Sequence, residues 1–177
     1  QNFQSIHPKD QGQWVAPCGF GSDELLREAI AATYGMIEMI DNGIGKILKS
    51  LEDTQQLDNT IIVFTSDHGD MMGDHGLFLK GFMHYRGTLQ VPLMVLAPGI
   101  EAQENHELAS SIDIGPTLLE LCELPFYEGI QGETLVPILL GDKKSVRDYV
   151  LIEDDIATVT SRLTPIPAKT RTLITET

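Results

Sequence analysis

Cationic side chains are scarce in this sequence of 177 residues, with 12 Lys and Arg against 26 Asp and Glu and a formal net charge of −14. Binding to a phosphate backbone depends on clustered Lys and Arg, so nucleic acid is not an expected partner. Cysteine is nearly absent: Cys18 and Cys122 lie far apart in unrelated contexts. That excludes a disulfide framework or a cysteine-based zinc site and leaves two reduced, at least partly buried thiols as the expectation. No apolar run approaches the roughly 18 to 20 residues of a membrane span, so no membrane partner is expected. Repeats and low-complexity tracts are missing, and the opening QNFQSIHPKDQGQW has none of the basic, apolar and small-residue regions of a signal peptide and gives no address. What is present, 42% apolar residues with 16 Gly and 9 Pro, describes a globular chain of one domain or part of one. If a protein this acidic binds a small anion, a bound metal ion is the expected attractant.

Residues 1–22 read as an irregular segment and residues 23–177 as the α/β body. From Ser22 to about Leu51, apolar residues including Leu25, Leu26, Ile30, Tyr34, Ile37, Ile40, Ile44, Ile47 and Leu48 recur at three- and four-residue steps, which predicts an amphipathic helix capped by Ser22 or Asp23. Asp58 and Asn59 mark a turn before TIIVFT, a β-branched run without polar alternation, as expected of a strand buried on both faces. A second such strand is expected over Val91 to Leu96 with Pro92 at its start. Ser111 to Leu124 reads as a helix with Pro116 in its first turn, and Asp148 to Ile152 and the closing TRTLITET as strands. The alternation of helices and strands predicts an α/β layered fold with a mostly parallel sheet.

Functional side chains concentrate in SDHGDMMGDHGLFLKG, Ser66 to Gly81, directly after the first strand, where open α/β sheets place their ligands. Asp67 and His68 at the strand tip have two readings. In the plainer one Asp67 caps the following backbone and His68 is a polar loop residue. In the other they are adjacent ligands of a divalent cation, the carboxylate suiting Ca²⁺, Mg²⁺ or Mn²⁺ and the imidazole tilting the choice towards Mn²⁺ or another transition metal. Lys80, a compact cation on the same loop, favours the second, since an anionic substrate beside a metal needs such a group. Asp41 and Asn42 read as a polar helix face, Asp113 as a helix cap, the methionines as core or pocket lining, and Glu153, Asp154 and Asp155 as a solvated edge. Trp14 has no assigned role.

The segments NTIIVFTSDHGDMMGDHGLFLKG and VPLMVLAPG, with MIDNGIGKIL before them and SIDIGPTLLELCELP, IQGETLVPILLG and RTLIT after them, together resemble the C-terminal half of a sulfatase of the alkaline phosphatase superfamily. Choline-sulfatase-like and phosphonate monoester hydrolase members are similar too. The resemblance covers about Tyr34 to Ile174 and implies an incomplete alkaline-phosphatase-like fold, its C-terminal portion only. It implies Asp67 and His68 as ligands of Ca²⁺ or Mn²⁺, His68 standing where many sulfatases have Asn, and Lys80 as the lysine that contacts sulfate. His75 and His84 line the same loop. His84 is the candidate to reach substrate, beside a plainer supporting or surface role for both.

The family's nucleophile motif, C-x-P-x-R or S-x-P-x-R, occurs nowhere in this sequence, since Cys18 is followed by Gly-Phe-Gly and Cys122 by Glu-Leu-Pro. The resemblance therefore implies that the formylglycine nucleophile and the remaining ligands belong to a missing N-terminal half. The expected function is a share of a metal-dependent sulfuric ester hydrolase, inactive alone, acting on a small-molecule sulfate ester. Alternatives are a phosphonate monoester or phosphodiester hydrolase on the same scaffold and a non-catalytic interaction module. An unpaired sheet edge and exposed apolar surface are expected as well, and with them self-association.

Overall fold

The computed structural model describes residues 22–80, 84–155 and 169–175. Its first element, α1 (Asp23–Asp53), starts where the sequence predicts: Ser22 is extended and its hydroxyl accepts the Leu25 N–H at 3.3 Å. Asp23 and Glu24 then face the positive end of the helix dipole. None of the 31 residues is buried; Tyr34, Met36, Ile37, Met39, Ile40 and Ile47 are each more than half exposed. At Gly35, Gly43 and Gly45, the backbone of α1 itself apart, no atom of the described residues comes within 4 Å of where a Cβ would stand. The apolar stripe thus specifies the helix while the described residues leave most of it uncovered. An exception is Leu26, whose Cδ2 would lie 2.8 Å from a Cβ at Gly73.

A 3-10 turn at Leu57–Asn59 leads into β1 (Ile62–Thr65), which neighbours β2 (Leu93–Leu96) in a two-stranded sheet. Both strands lie where the apolar runs put them, and Pro92 immediately precedes β2. Their burial departs from the expectation. β1 is half-buried with Thr65 exposed, and β2 alternates, with Met94 and Leu96 exposed. A continuous apolar run equips a strand to be covered on both faces; the described elements leave much of that surface open. Between the strands, the short helix α2 (Arg86–Leu89) follows a loop with a 3-10 turn at Asp74–Gly76.

The chain divides into two compact units after Met94. In the second, a 3-10 turn at Ser111–Asp113 runs into α3 (Ile114–Leu121), with Pro116 in its first turn. Cys122 is the C-cap residue of α3 and is exposed, against the expectation of partial burial, because the helix ends before its side chain meets the core. Cys18 lies outside the described residues, as does Trp14. The short helix α4 (Val136–Leu139) was not legible in the sequence, being four residues with a proline. Its Val136 and Ile138 are buried, as are Leu135, Ala97 and Val150.

Strands β3 (Tyr149–Asp155) and β4 (Lys169–Thr175) pair antiparallel, Val150 opposite Ile174 and Glu153 opposite Arg171. This pair forms a two-stranded sheet of its own, separate from that of β1 and β2. Glu153, Asp154 and Asp155 are ladder residues opposite Arg171, Thr170 and Lys169; Glu153 is exposed, as a solvated edge requires, and accepts from the Arg171 guanidinium at 2.6 Å. Opposite charges across a ladder offset the poor strand preference of an acidic run.

Candidate functional site

The loop leaving β1 is fixed mainly by backbone. Gly69 donates its N–H to the Thr88 carbonyl at 2.9 Å, and a Cβ at Gly69 would stand 2.0 Å from the Gly87 carbonyl oxygen. The two ends of the loop therefore cross at a distance only glycine permits. Inside the crossing, Met72 and Gly73 donate N–H groups to the carbonyls of Phe78 and Leu77. Met72, Gly73, His75 and Gly76 all have positive φ. Met71, 1% exposed, anchors this turn as core. Thr88 is buried and donates its hydroxyl to the Tyr85 carbonyl at 2.8 Å.

On this frame Asp67, His68 and Lys80 come together. The Asp67 side chain is 85% exposed and that of His68 36%. Asp67 Oδ1 accepts the backbone N–H of His68 at 2.9 Å, while Ser66 Oγ donates to the His68 carbonyl, also at 2.9 Å. His68 Nδ1 lies 3.0 Å from the Gly69 carbonyl, Nε2 lies 2.5 Å from Lys80 Nζ, and Asp67 Oδ2 stands 3.3 Å from the same Nε2. A carbonyl can only accept, so Nδ1 carries the proton, and an ammonium can only donate, so Nε2 offers its lone pair. Two acceptors 3.3 Å apart repel each other unless a cation lies close by, and the Lys80 ammonium stands on Nε2.

The hydrogen bond from the His68 backbone holds the Asp67 carboxyl below the ordinary carboxylate range. The carboxylate is therefore ionised throughout the neutral range. An imidazole whose Nδ1 is tied to a backbone carbonyl presents Nε2 in the form a metal requires, and carboxylate plus imidazole suits a divalent ion. Among the described residues no group of three or more His, Cys, Asp and Glu side chains converges. The plainer reading of Asp67, a cap on the following backbone, is met by the same hydrogen bond; the two roles use different oxygens.

His75 does not join the cluster's bonds to Lys80; its ring stacks on Tyr85, centroids 4.1 Å apart. His84 is half-buried one residue before Tyr85. Asp41 and Asn42 lie on the exposed face of α1, Asn42 bonding the Glu38 carbonyl. The sequence reading missed Ser66 and Thr88, which fix the backbone on either side of His68. A hydroxyl gives no signal of such a role, whereas the pair Gly69 and Gly87 was visible as glycine enrichment.

Asp113 caps as expected, in a reciprocal box with Ser110, and is 0% exposed. It does more than cap: Oδ1 also accepts the Glu133 N–H at 2.8 Å and pairs with Arg147. Thr117 accepts the buried N–H of Leu135 and donates to the Asp113 carbonyl.

A family model described as Sulfatase matches residues 2–124. Arylsulfatase K of Gallus gallus is 38% identical over 78% of this chain, which spans 26% of that protein. The solved structure of a 2-O GAG sulfatase superposes with a TM-score of 0.70 at 32% identity, covering 75% of this chain and 30% of that one. A phosphonate monoester hydrolase of Agrobacterium radiobacter superposes equally well, TM-score 0.70 at 36% identity, over 79% of this chain and 29% of its own. The chain thus spans between a quarter and a third of the length of these proteins. The scaffold they define is the α/β framework of sulfatase-type hydrolases. This chain belongs to the sulfatase family.

Proposed function

We propose that this chain is the C-terminal share of a metal-dependent sulfuric ester hydrolase with an alkaline-phosphatase-like, mostly parallel sheet, in which Asp67 and His68 hold a divalent cation and Lys80 binds the sulfate. The observation that carries the reading is the meeting of Asp67 Oδ2, His68 Nε2 and Lys80 Nζ at the exit of β1. A Ca²⁺ or Mn²⁺ ion there supplies Lewis-acid stabilisation of the ester oxygens. Asp67 and His68 fix its position through side chains whose own orientations are set by backbone hydrogen bonds. Lys80 offers an ammonium to charge developing on the bridging oxygen, and His84 is the further candidate for substrate contact.

The formylglycine nucleophile motif and the remaining ligands are assigned to sequence preceding this chain in the parent enzyme. Two protein ligands do not make a shell for a hard divalent ion, so the chain alone is expected to hold metal weakly and to turn over no ester. The exposed stripe of α1 supports self-association when the chain is isolated. Phosphonate monoester hydrolysis is the second reading, supported by the Agrobacterium radiobacter likeness. The deciding test is turnover of an aryl sulfate and of a phosphonate monoester by the parent enzyme and its Lys80→Met variant. The expected result is preference for sulfate with kcat lowered by roughly a hundredfold or more in the variant, the scale of losing one charge-stabilising donor. Turnover by the isolated chain, or an unaffected Lys80→Met enzyme, overturns the assignment.

A further inference from the structure

We infer that Lys80 and the divalent cation are mutually exclusive partners of His68, so that loading the metal releases the Lys80 ammonium from Nε2 and frees it for an anionic ligand. The inference rests on the proposed metal role of Asp67 and His68, and adds a coupling between that role and the lysine.

The imidazole has one lone pair to give. With Nδ1 committed to the Gly69 carbonyl, Nε2 is its only acceptor, and Lys80 Nζ takes it at 2.5 Å. A lone pair in a hydrogen bond to an ammonium cannot at the same time be donated to a metal. Nor can His68 turn its ring to offer Nδ1 instead without giving up the Gly69 carbonyl, and Gly69 is pinned by Thr88 and by the glycine crossing at Gly87. The part free to move is Lys80, an exposed residue with a four-carbon stem of high rotamer freedom. The charge of the arriving ion also repels the ammonium, which favours its departure from His68 Nε2. Ammonium and metal therefore serve the same acceptor, His68 Nε2, in succession. The lysine becomes available to substrate only after the ion is in place, so binding is ordered, cation first and anion second.

The test is Mn²⁺ titration, followed by electron paramagnetic resonance of free Mn²⁺, into the full chain, its Lys80→Met variant and an Asp67→Ala/His68→Ala variant. Lys80 acetylation by acetic anhydride is measured in parallel by mass spectrometry. Lys80→Met is expected to bind Mn²⁺ about tenfold more tightly, the equivalent of removing one competing charge-assisted hydrogen bond. Acetylation of Lys80 should rise with Mn²⁺ in the unmodified chain and be already high and insensitive to Mn²⁺ in the double variant. Mn²⁺ binding that requires Asp67 and His68 but is not tightened by Lys80→Met overturns the exclusion while leaving the metal site standing. Binding that survives the double change overturns the metal site and the exclusion with it.

Discussion

Asp67 and Asp113 are both carboxylates that stand beside a cationic side chain and accept a backbone N–H, yet their surroundings are opposite. Asp113 is 0% exposed and has a partner on each oxygen, the Ser110 N–H on Oδ2 and the Glu133 N–H and Arg147 on Oδ1. Asp67 is 85% exposed, and its Oδ2 points towards the imidazole lone pair that Lys80 shares. A buried charge is tolerable only when fully paired, so Asp113 has no capacity left for a ligand. A carboxylate with one oxygen fixed and the other facing solvent has that capacity. If Asp67 is the site carboxylate proposed above, what separates it from a framework carboxylate is the coordination left over, which burial alone does not report.

The largest effect expected from breaking this contrast is at Asp113. Asp113→Ala removes the cap of the 110–113 turn and leaves Arg147, 15% exposed, without its counter-ion, with one guanidinium nitrogen, Nε, already unpaired. Urea denaturation should show a loss of about 3 to 5 kcal/mol. A loss below about 1 kcal/mol would mean that the carboxylate is not the organising group.

Next is Gly69→Ala, aimed at the frame of the exposed cluster. A methyl group 2.0 Å from the Gly87 carbonyl oxygen meets backbone and cannot be relieved by a rotamer change, so about 1 to 3 kcal/mol should be lost. Retained thermal stability would show that the loop ends do not cross this closely.

Asp67→Asn should be the mildest for folding, leaving the urea midpoint essentially unchanged in the same denaturation experiment, while abolishing Mn²⁺ binding by the chain. A large stability change would place Asp67 with Asp113 as a framework residue. The acid titration sharpens the same point. Because the folded-state pKa of Asp67 is depressed, its favourable contribution is fully present above the unfolded value, near 3.8, and is lost as pH falls through the lower folded value. Carbon-detected NMR should give Asp67 a midpoint below 3.8; a midpoint at or above it would contradict the hydrogen bond from His68.

Sequence pattern revealed elements and left their surroundings hidden. The three- and four-residue spacing from Leu25 to Leu51 marked α1, and Ser22 its cap, because both are local properties of the chain. The runs ending at Thr65 and Leu96 marked β1 and β2, but their partial exposure depends on what covers them, which no local pattern encodes. Glu153 read correctly as solvent-facing, but its partner Arg171 was hidden because it is 18 residues away. Arg147 was invisible as the partner of Asp113 for the same reason. Asp67, His68 and Lys80 were singled out by their residue types and place after a strand, whereas the tautomer of His68, set by the Gly69 carbonyl, needed coordinates.

The Asp113 pairing also orders events in time. Its hydrogen bonds reach Glu133, 20 residues on, and its ion pair reaches Arg147, 34 residues on. During synthesis the Ser110 turn can form as soon as Asp113 has emerged, but enclosing the carboxylate before Arg147 is made would strand an unpaired charge away from water. The second unit therefore cannot close over α3 until translation has passed position 147, and its consolidation waits on a residue that lies outside every helix it contains.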